Sequence, residues 1–150
     1  MAPELLDHFT VLPSEDTRTE KRSHLATHDI TKEQFADTVA NNDIVLVDFW
    51  AEWCGPCKQF GPIFEQSSEQ HSDIYYAKVD TEAEQELAAA LQITSIPTLM
   101  AFREGILVFA QPGALPAQSL QQVVDGVKGL DMDDVRKQLA QAQAEEAAQQ

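Results

Sequence analysis

Two cysteines, Cys54 and Cys57, are the residues of this chain best suited to chemistry. They are its only cysteines, and Gly55 and Pro56 separate them. Cysteines three positions apart in one helical turn can close a small disulfide without large backbone movement. Because the thiolate is the reactive form of cysteine, such a pair can exchange disulfides with another molecule.

The position of the pair assigns a different task to each thiol. Residues 44–50 form an apolar run broken only by Asp48, which predicts a strand buried on both faces, and a helix is predicted to begin near Cys54. Free N–H groups and the positive dipole end at a helix start favour a thiolate. Cys54 is therefore the predicted nucleophile, and Cys57, shielded one turn further in, is the predicted resolving cysteine. Pro56 in the first turn stiffens the loop between them.

A zinc site is the main alternative for a Cys-x-x-Cys pair, and the sequence disfavours it. A tetrahedral zinc site needs four ligands, and the chain has no further cysteine. The histidines are scattered, with no two at paired ligand spacing: His8, His24, His28 and His71. We therefore predict no bound metal.

The elements that must position the cysteines alternate between strand and helix patterns. The order β-α-β-α-β-α-β-β-α predicts an α/β fold, with a single central mixed sheet of about five strands flanked by about four helices. The boundary signals are two capping pairs and a hairpin turn: Thr31 with Gln34, Thr81 with Glu84, and Glu104-Gly105.

Composition and pattern divide the 150 residues into a core and two extensions. Residues 1–22 are expected to form a flexible extension, although Leu5, Leu6, Phe9 and Leu12 have helical spacing and leave a short docking helix as the alternative. The core is predicted over 23–130. Residues 131–150 are rich in Ala, Gln and Glu, which favours a polar extension that Asp131 could cap as a helix.

Charge and hydropathy exclude several classes of partner. The net charge of −15 repels phosphate, so nucleic acid is a poor candidate. No apolar run approaches the roughly 18 to 20 residues that span a bilayer, and the N-terminus lacks the pattern of a secretory signal. These observations predict a cytoplasmic protein, and in that reducing compartment paired cysteines are more often catalytic than a permanent crosslink.

Residues 47–58, Val-Asp-Phe-Trp-Ala-Glu-Trp-Cys-Gly-Pro-Cys-Lys, resemble the active-site segment of the thioredoxin family. Residues 96–98 stand where the family has its cis-proline loop, and residues 113–114 where it has a glycine beside the active site. The resemblance covers most of the chain and implies the thioredoxin fold. It also implies reduction of disulfides in other proteins by a monomer that binds no cofactor. A separate thioredoxin reductase would reload the dithiol with electrons from NADPH, contributing to cell redox homeostasis.

The resemblance also implies roles for residues beyond the cysteines. Asp48 is a charged residue in an apolar strand, which is unfavourable unless the charge is used or satisfied. The matching family aspartate moves the proton of the resolving cysteine, and Lys78 matches the lysine that accompanies it. A flat apolar patch would bind the substrate, with Ile96 offering its backbone to an extended segment. The residues of this patch are Trp53, Gly55, Pro56, Ile96, Pro97, Gly113 and Ala114.

Two other functions remain open at the level of sequence. The same chemistry could run in reverse, in a disulfide-forming oxidant or isomerase, although Gly-Pro between the cysteines matches the reducing branch of the family. A protein of another class, a thioredoxin-fold binding module or holdase, would use the patch and the two extensions to grip partners. Pro112, where the family often has a branched aliphatic residue, makes the rim of the patch atypical.

Overall fold

The computed structural model describes residues 26–149. The predicted extension over 1–22 lies outside the described residues, as does Gln150. Within the described part, ten elements follow one another along the chain: β1 (Thr27–Asp29), α1 (Lys32–Asn41), β2 (Ile44–Trp50), α2 (Gly55–Gln70), β3 (Tyr75–Asp80), α3 (Gln85–Ala90), β4 (Thr98–Arg103), β5 (Ile106–Pro112), α4 (Ala117–Lys128) and α5 (Met132–Ala148).

The five strands form one mixed sheet in the order β1-β3-β2-β4-β5, which places β2 at its centre. β2 runs parallel to β3, with Asp48 opposite Lys78, and antiparallel to β4, with Phe49 opposite Thr98. β4 and β5 pair antiparallel, as the hairpin signal predicted. The sheet therefore confirms the predicted thioredoxin fold.

Two hydrophobic clusters, one on each face of the sheet, stabilise this arrangement. Alternate residues of β2 belong to opposite clusters, because successive side chains of a strand point to opposite faces of the sheet. Leu46 packs with Phe60 and Phe64 of α2, while Val47 packs with Leu87 of α3. Burial on both faces explains the nearly unbroken apolar run of β2.

Most predicted boundaries agree with the structure, and one capping assignment is wrong. The Thr31 N–H donates to Gln34 Oε1 at 3.0 Å at the start of α1, as predicted. Thr81 was expected to cap the third helix, but its hydroxyl donates to the carbonyl oxygen of Trp50 at 3.0 Å. Glu84 occupies the cap position of α3 instead. The reason is that the end of β2 leaves a carbonyl in reach of Thr81.

The turn between β4 and β5 fits the predicted hairpin. Glu104 and Gly105 both have positive φ, at 51° and 80°. Positive φ at both central residues is typical of the tight turns whose twist matches that of the paired strands, and glycine adopts it without strain.

The described residues contain five helices where about four were predicted. The added element is α5, whose start is capped by Asp131, with the carboxylate accepting the N–H groups of Asp133 and Asp134. Only Met132 of this helix is buried. The polar extension is therefore helical, as capping by Asp131 allowed, and the high helix propensity of its Ala, Gln and Glu residues supports the helix.

Arg103, at the end of β4, ties α4 and the start of α5 to the sheet. Its Nη1 lies 2.8 Å from the carbonyl oxygen of Val127 and 3.0 Å from those of Lys128 and Leu130. Carbonyls at a helix C-terminus lack partners within the helix and carry partial negative charge, so a cation is stabilising there.

Within residues 26–149, no helix is both long enough and apolar enough to cross a membrane.

Replacement of Arg103 by Met is expected to destabilise the protein by about 2 kcal/mol, since hydrogen bonds to charged groups contribute roughly 1.5–3 kcal/mol. Urea unfolding of the variant and the natural protein measures the difference. Arg136→Met is the control, because Arg136 is an exposed arginine that bonds Asp133 at 2.9 Å and the Glu104 carboxylate. A loss for Arg103→Met no larger than that of the control would contradict the anchoring role.

Candidate active site

Cys54 lies at the junction of the central strand and the helix that follows it. β2 ends at Trp50, and Cys54 occupies the N-cap of α2 with extended backbone. Its Sγ accepts the backbone N–H of Cys57 at 3.2 Å. A sulfur at this position satisfies one of the free N–H groups of the helix start, an environment that favours negative charge.

The two cysteines are joined as a disulfide, with their Cα atoms 5.2 Å apart. The expectation of an exposed first and a shielded second cysteine is wrong at the level of residue exposure, which is 4% for Cys54 and 5% for Cys57. Both cysteines belong to one small buried cluster with Ala51, and the half-buried Trp50 and Ile96 pack against it. The two sulfur atoms differ instead in their surroundings. Cys54 Sγ lies 3.7 Å from the Ile96 carbonyl oxygen, and Cys57 lines a cleft beneath the surface.

Asp48 lies in that same cleft, which has a volume of about 390 Å³. The residue is only 1% exposed, and neither carboxyl oxygen has a hydrogen-bonding partner among the described residues. Burial raises the pKa of Asp48 to about 7, with Lys78 opposing and Glu65 adding to the effect. A carboxyl with this pKa can both take and return a proton at neutral pH.

Lys78 reaches the same cleft from β3, in register with Asp48. Its ammonium is not hydrogen-bonded to the Asp48 carboxyl. Nζ pairs with Glu65 Oε1 at 3.5 Å and lies 5.4 Å from the centre of the Trp50 ring. The structure therefore brings Asp48, Lys78 and Cys57, which the family resemblance singled out, into one cleft and adds an acidic partner from α2.

Two loops meet beside the disulfide at the same end of the sheet. The Ile96–Pro97 peptide bond is cis, as the family resemblance predicted. The carbonyl oxygen of Pro97 accepts the Gly113 N–H at 2.7 Å, which joins the loop before β4 to the loop after β5. Gly113 has φ of 105°, a conformation that a residue with a side chain adopts only under strain.

The predicted patch is largely exposed around the buried sulfurs. Trp53 is 68% exposed, the largest value among the bulky apolar residues of the described chain, and its indole N–H donates to Glu82 Oε1 at 2.6 Å. The other exposed members are Gly55, Pro56, Gly113 and Ala114, whereas Ile96 is half-buried and Pro97 is buried.

Sequence reasoning missed two acidic residues of the site, Glu65 and Glu82. Glu82 precedes α3 and orients Trp53 through the contact described above. Glu65 follows Cys57 and Gly61 at intervals of four, which places all three on one face of α2. That spacing was a readable signal for Glu65, whereas the Glu82–Trp53 contact joins residues 29 apart and had none.

Within the described range 26–149, no three His, Cys, Asp or Glu side chains are grouped closely enough to hold a metal ion.

Comparisons with known proteins agree with this geometry. The family model for thioredoxin matches residues 26–126. A relative from Streptomyces coelicolor, putative thioredoxin 2, is 57% identical over 120 residues, which cover 80% of this chain and 90% of the relative. Bifunctional thioredoxin reductase/thioredoxin of Mycobacterium leprae is 47% identical over 72 residues, which cover 47% of this chain and 16% of that protein.

A solved structure extends the agreement to three dimensions. A mutant thioredoxin from Halobacterium salinarum superposes with a TM-score of 0.65 at 32% identity, covering 69% of this chain and 92% of that one. The matched family model spans the sheet, the disulfide and the cleft beneath it. The chain therefore belongs to the thioredoxin family, whose members are protein-disulfide oxidoreductases.

Proposed function

We propose that this protein works in the reducing direction, with Cys54 as the nucleophile that opens disulfides in other proteins. The observation that carries the proposal is the cap of α2, where Cys54 Sγ accepts the Cys57 N–H at 3.2 Å. In the reduced protein the same N–H would stabilise a Cys54 thiolate. The thiolate attacks one sulfur of the substrate disulfide, that bond breaks, and the substrate thiolate leaves and takes a proton.

Cys57 resolves the mixed disulfide that this first step produces. Its thiol gives its proton to the Asp48 carboxylate, and the resulting thiolate attacks Cys54 Sγ. The bond between Cys54 and the substrate breaks, and the second substrate sulfur leaves as a thiolate that takes up a proton. Two electrons and two protons have then passed to the substrate, and the Cys54–Cys57 disulfide remains. The shared cleft and the pKa of about 7 support Asp48 in this role.

Lys78 is the proposed partner of Asp48 in this cycle. It faces Asp48 across the β2–β3 pairing, and its charge opposes the rise in the Asp48 pKa caused by burial. An ammonium group near the carboxyl stabilises its charged form, which is the form that accepts the proton. The opposing effects of burial and of the Lys78 charge together place the pKa of Asp48 at about 7.

The proposed substrate surface is the patch around the disulfide. The predicted residues Trp53, Gly55, Pro56, Gly113 and Ala114 are exposed there. An extended substrate strand would pair with the backbone of Ile96, whose carbonyl oxygen is 3.7 Å from Cys54 Sγ. Such pairing would direct a substrate disulfide to Cys54 with little dependence on side chains.

The electrons are proposed to come from NADPH through a separate thioredoxin reductase. The Mycobacterium leprae relative, whose name joins a thioredoxin reductase to a thioredoxin, supports this partnership. Gly55 and Pro56 between the cysteines match the reducing branch of the family. Net reduction requires a reducing compartment, so a cytoplasmic monomer acting on disulfide-containing proteins is part of the proposal.

Cys54→Ser is expected to abolish reduction of insulin in the presence of NADPH and a thioredoxin reductase, because no nucleophile remains. Cys57→Ser is expected to accumulate covalent mixed disulfides through Cys54, since nothing resolves them. Turbidity of reduced insulin and non-reducing gels measure the two effects. Trapping by the Cys54→Ser variant would reverse the two roles, and full activity of either variant would refute the proposal.

Asp48→Asn is expected to slow resolution of the mixed disulfide by about 10-fold or more near pH 7, since a positioned base typically contributes 10²–10⁴-fold. Single-turnover reduction measured from pH 5 to 9 isolates this step. The difference from the natural protein should shrink at high pH, where solvent hydroxide can deprotonate Cys57. A rate that matches the natural protein at every pH would leave Asp48 without a catalytic role.

The same substitution should stabilise the protein at pH 8 by on the order of 4 kcal/mol, because one pKa unit corresponds to about 1.4 kcal/mol. The Asp48 pKa lies at about 7 in the folded protein and near 3.8 when exposed. The folded state therefore holds the proton more tightly, and its stability falls as pH rises from about 4 to 7. Urea unfolding at pH 4 should show little difference between the two proteins, and a constant difference at both pH values would contradict this assignment.

The redox unit is proposed to be residues 23–130, with residues 1–22 and 131–150 as extensions. A chain trimmed to 23–130 should keep nearly all of its insulin-reducing activity, because every proposed site residue lies between Asp48 and Ala114. Loss of Met132, which is buried, should lower the melting temperature modestly. Parallel melts and activity assays measure both quantities. A large loss of activity would show that the functional unit extends beyond these limits.

A further inference from the structure

The Lys78 ammonium is held by groups other than the buried acid that it faces. Its Nζ lies 3.5 Å from Glu65 Oε1 and 5.4 Å from the centre of the Trp50 ring. Gly61, one turn before Glu65 on α2, lies beside it, and a Cβ at that position would be in ordinary van der Waals contact with Nζ, at 3.9 Å. Glu65 and the Trp50 ring thus contact Lys78, the more buried of the two lysines that line the cleft among the described residues.

This arrangement leaves the Asp48 carboxyl without a hydrogen-bonding partner in the described part of the chain. Both of its oxygens are buried and accept no hydrogen bond from the described residues, although Lys78 lies opposite in register. β4 opposes Asp48 with Leu99, which carries no charge. The ionisable groups that line the cleft beside Asp48 come from β3, α2 and the segment before α2: Lys78, Cys57, Lys58, Glu65 and Glu52.

Glu52 and Lys58 are exposed at the rim of the cleft, where solvent screens their opposite charges. The side chain of Lys78 is 17% exposed and that of Glu65 is 38% exposed, so both charges act on Asp48 through less solvent. Among the charged groups that line the cleft, Glu65 and Lys78 are therefore expected to affect the pKa of Asp48 most strongly.

We propose that Glu65 is a positioning residue for the proton transfer, holding the Lys78 ammonium against Trp50 so that the Asp48 carboxyl stays free to take the proton of Cys57. This inference rests on the proposed function, in which Asp48 is the base for Cys57. It adds a residue of α2 to the pair of Asp48 on β2 and Lys78 on β3. Glu65 acts through Lys78 and does not touch the reacting sulfurs.

The electrostatic consequence of removing Glu65 has a definite sign. Without its carboxylate, a negative charge that raises the pKa of Asp48 is lost. The released Lys78 ammonium can also turn toward Asp48, and an approaching cation lowers the pKa of a carboxyl. Both changes act in the same direction, so Asp48 becomes a stronger acid and a weaker base for Cys57.

Carboxyl carbon NMR of Asp48 in the full-length disulfide form measures this directly, because the cysteines do not titrate in that form. In Glu65→Gln the Asp48 midpoint should fall by at least about 0.5 pH unit, given the typical effect of a nearby charge. Glu65→Asp should restore more than half of that shift. Glu69→Gln, one turn further along the exposed side of α2, makes the same charge change away from the cleft and should leave the midpoint unchanged.

Repetition of the Glu65→Gln change in a Lys78→Gln background tests whether the effect passes through Lys78. The shift should shrink to less than half of its value in the natural background, because no ammonium remains to be released. A full-size shift in that background would show that Glu65 acts on Asp48 by its own charge alone and would overturn the positioning role. No shift in either background would overturn it as well.

The rate of mixed-disulfide resolution supplies a second readout. In Glu65→Gln the plateau rate should fall several-fold and the rise with pH should move to lower pH, with little change in KM, because the substrate patch is untouched. These results separate the inference from the proposed function. If the natural protein fails to reduce insulin, the proposed function fails whatever the NMR shows. If it reduces insulin but the titration midpoint of Asp48 is unchanged in Glu65→Gln, only the inference fails.

Discussion

Burial of the Asp48 carboxyl in the central strand is the constraint on which the proposed chemistry of this protein depends. A carboxylate removed from water without a hydrogen-bonding partner is unfavourable, so its pKa rises to about 7. The sheet maintains that burial because β2 lies between β3 and β4 and is covered on both faces. Burial of this charge lowers stability at one position, and it gives the proposed proton acceptor, in the cleft that Cys57 also lines, a pKa near neutral pH.

The start of α2 supplies the complementary half of the chemistry. Cys54 replaces the oxygen side chain that usually caps a helix, so the group that satisfies the backbone is also the group proposed to react. Because β2 leads directly into this helix, the buried acid and the capping sulfur lie close together along the chain. Small movements of the strand relative to the helix would change both environments, and the paired clusters on the two faces of the sheet oppose such movements.

Electrostatics in the cleft are set by few charges despite the strongly acidic chain. The net charge is −15, yet two lysines and three carboxyl groups line the cleft, and of these only Lys78, Glu65 and Asp48 are at least partly buried. Most of the remaining charge lies on exposed surface, where solvent and salt screen it. The behaviour of Asp48 therefore depends on the local arrangement of Lys78, Glu65 and Trp50 more than on the overall charge.

The sequence by itself determined the features that rest on neighbouring residues. The pairing of Cys54 with Cys57, the buried strand that precedes them and the turn at Glu104 and Gly105 all follow from local spacing and residue type. The family resemblance added the cis bond before Pro97. Local rules failed at Thr81, where a carbonyl at the end of β2 competed for its hydroxyl.

Only the tertiary structure decided which distant groups meet. It placed Glu65 on Lys78, Glu82 on Trp53 and Arg103 on the end of α4, through contacts between separate elements that no local pattern encodes. It also buried both cysteines nearly equally, in one cluster with Ala51 against which Trp50 and Ile96 pack. Burial and electrostatic fields sum over everything that packs around a group, so they are properties of the folded chain and cannot be read from a segment of it.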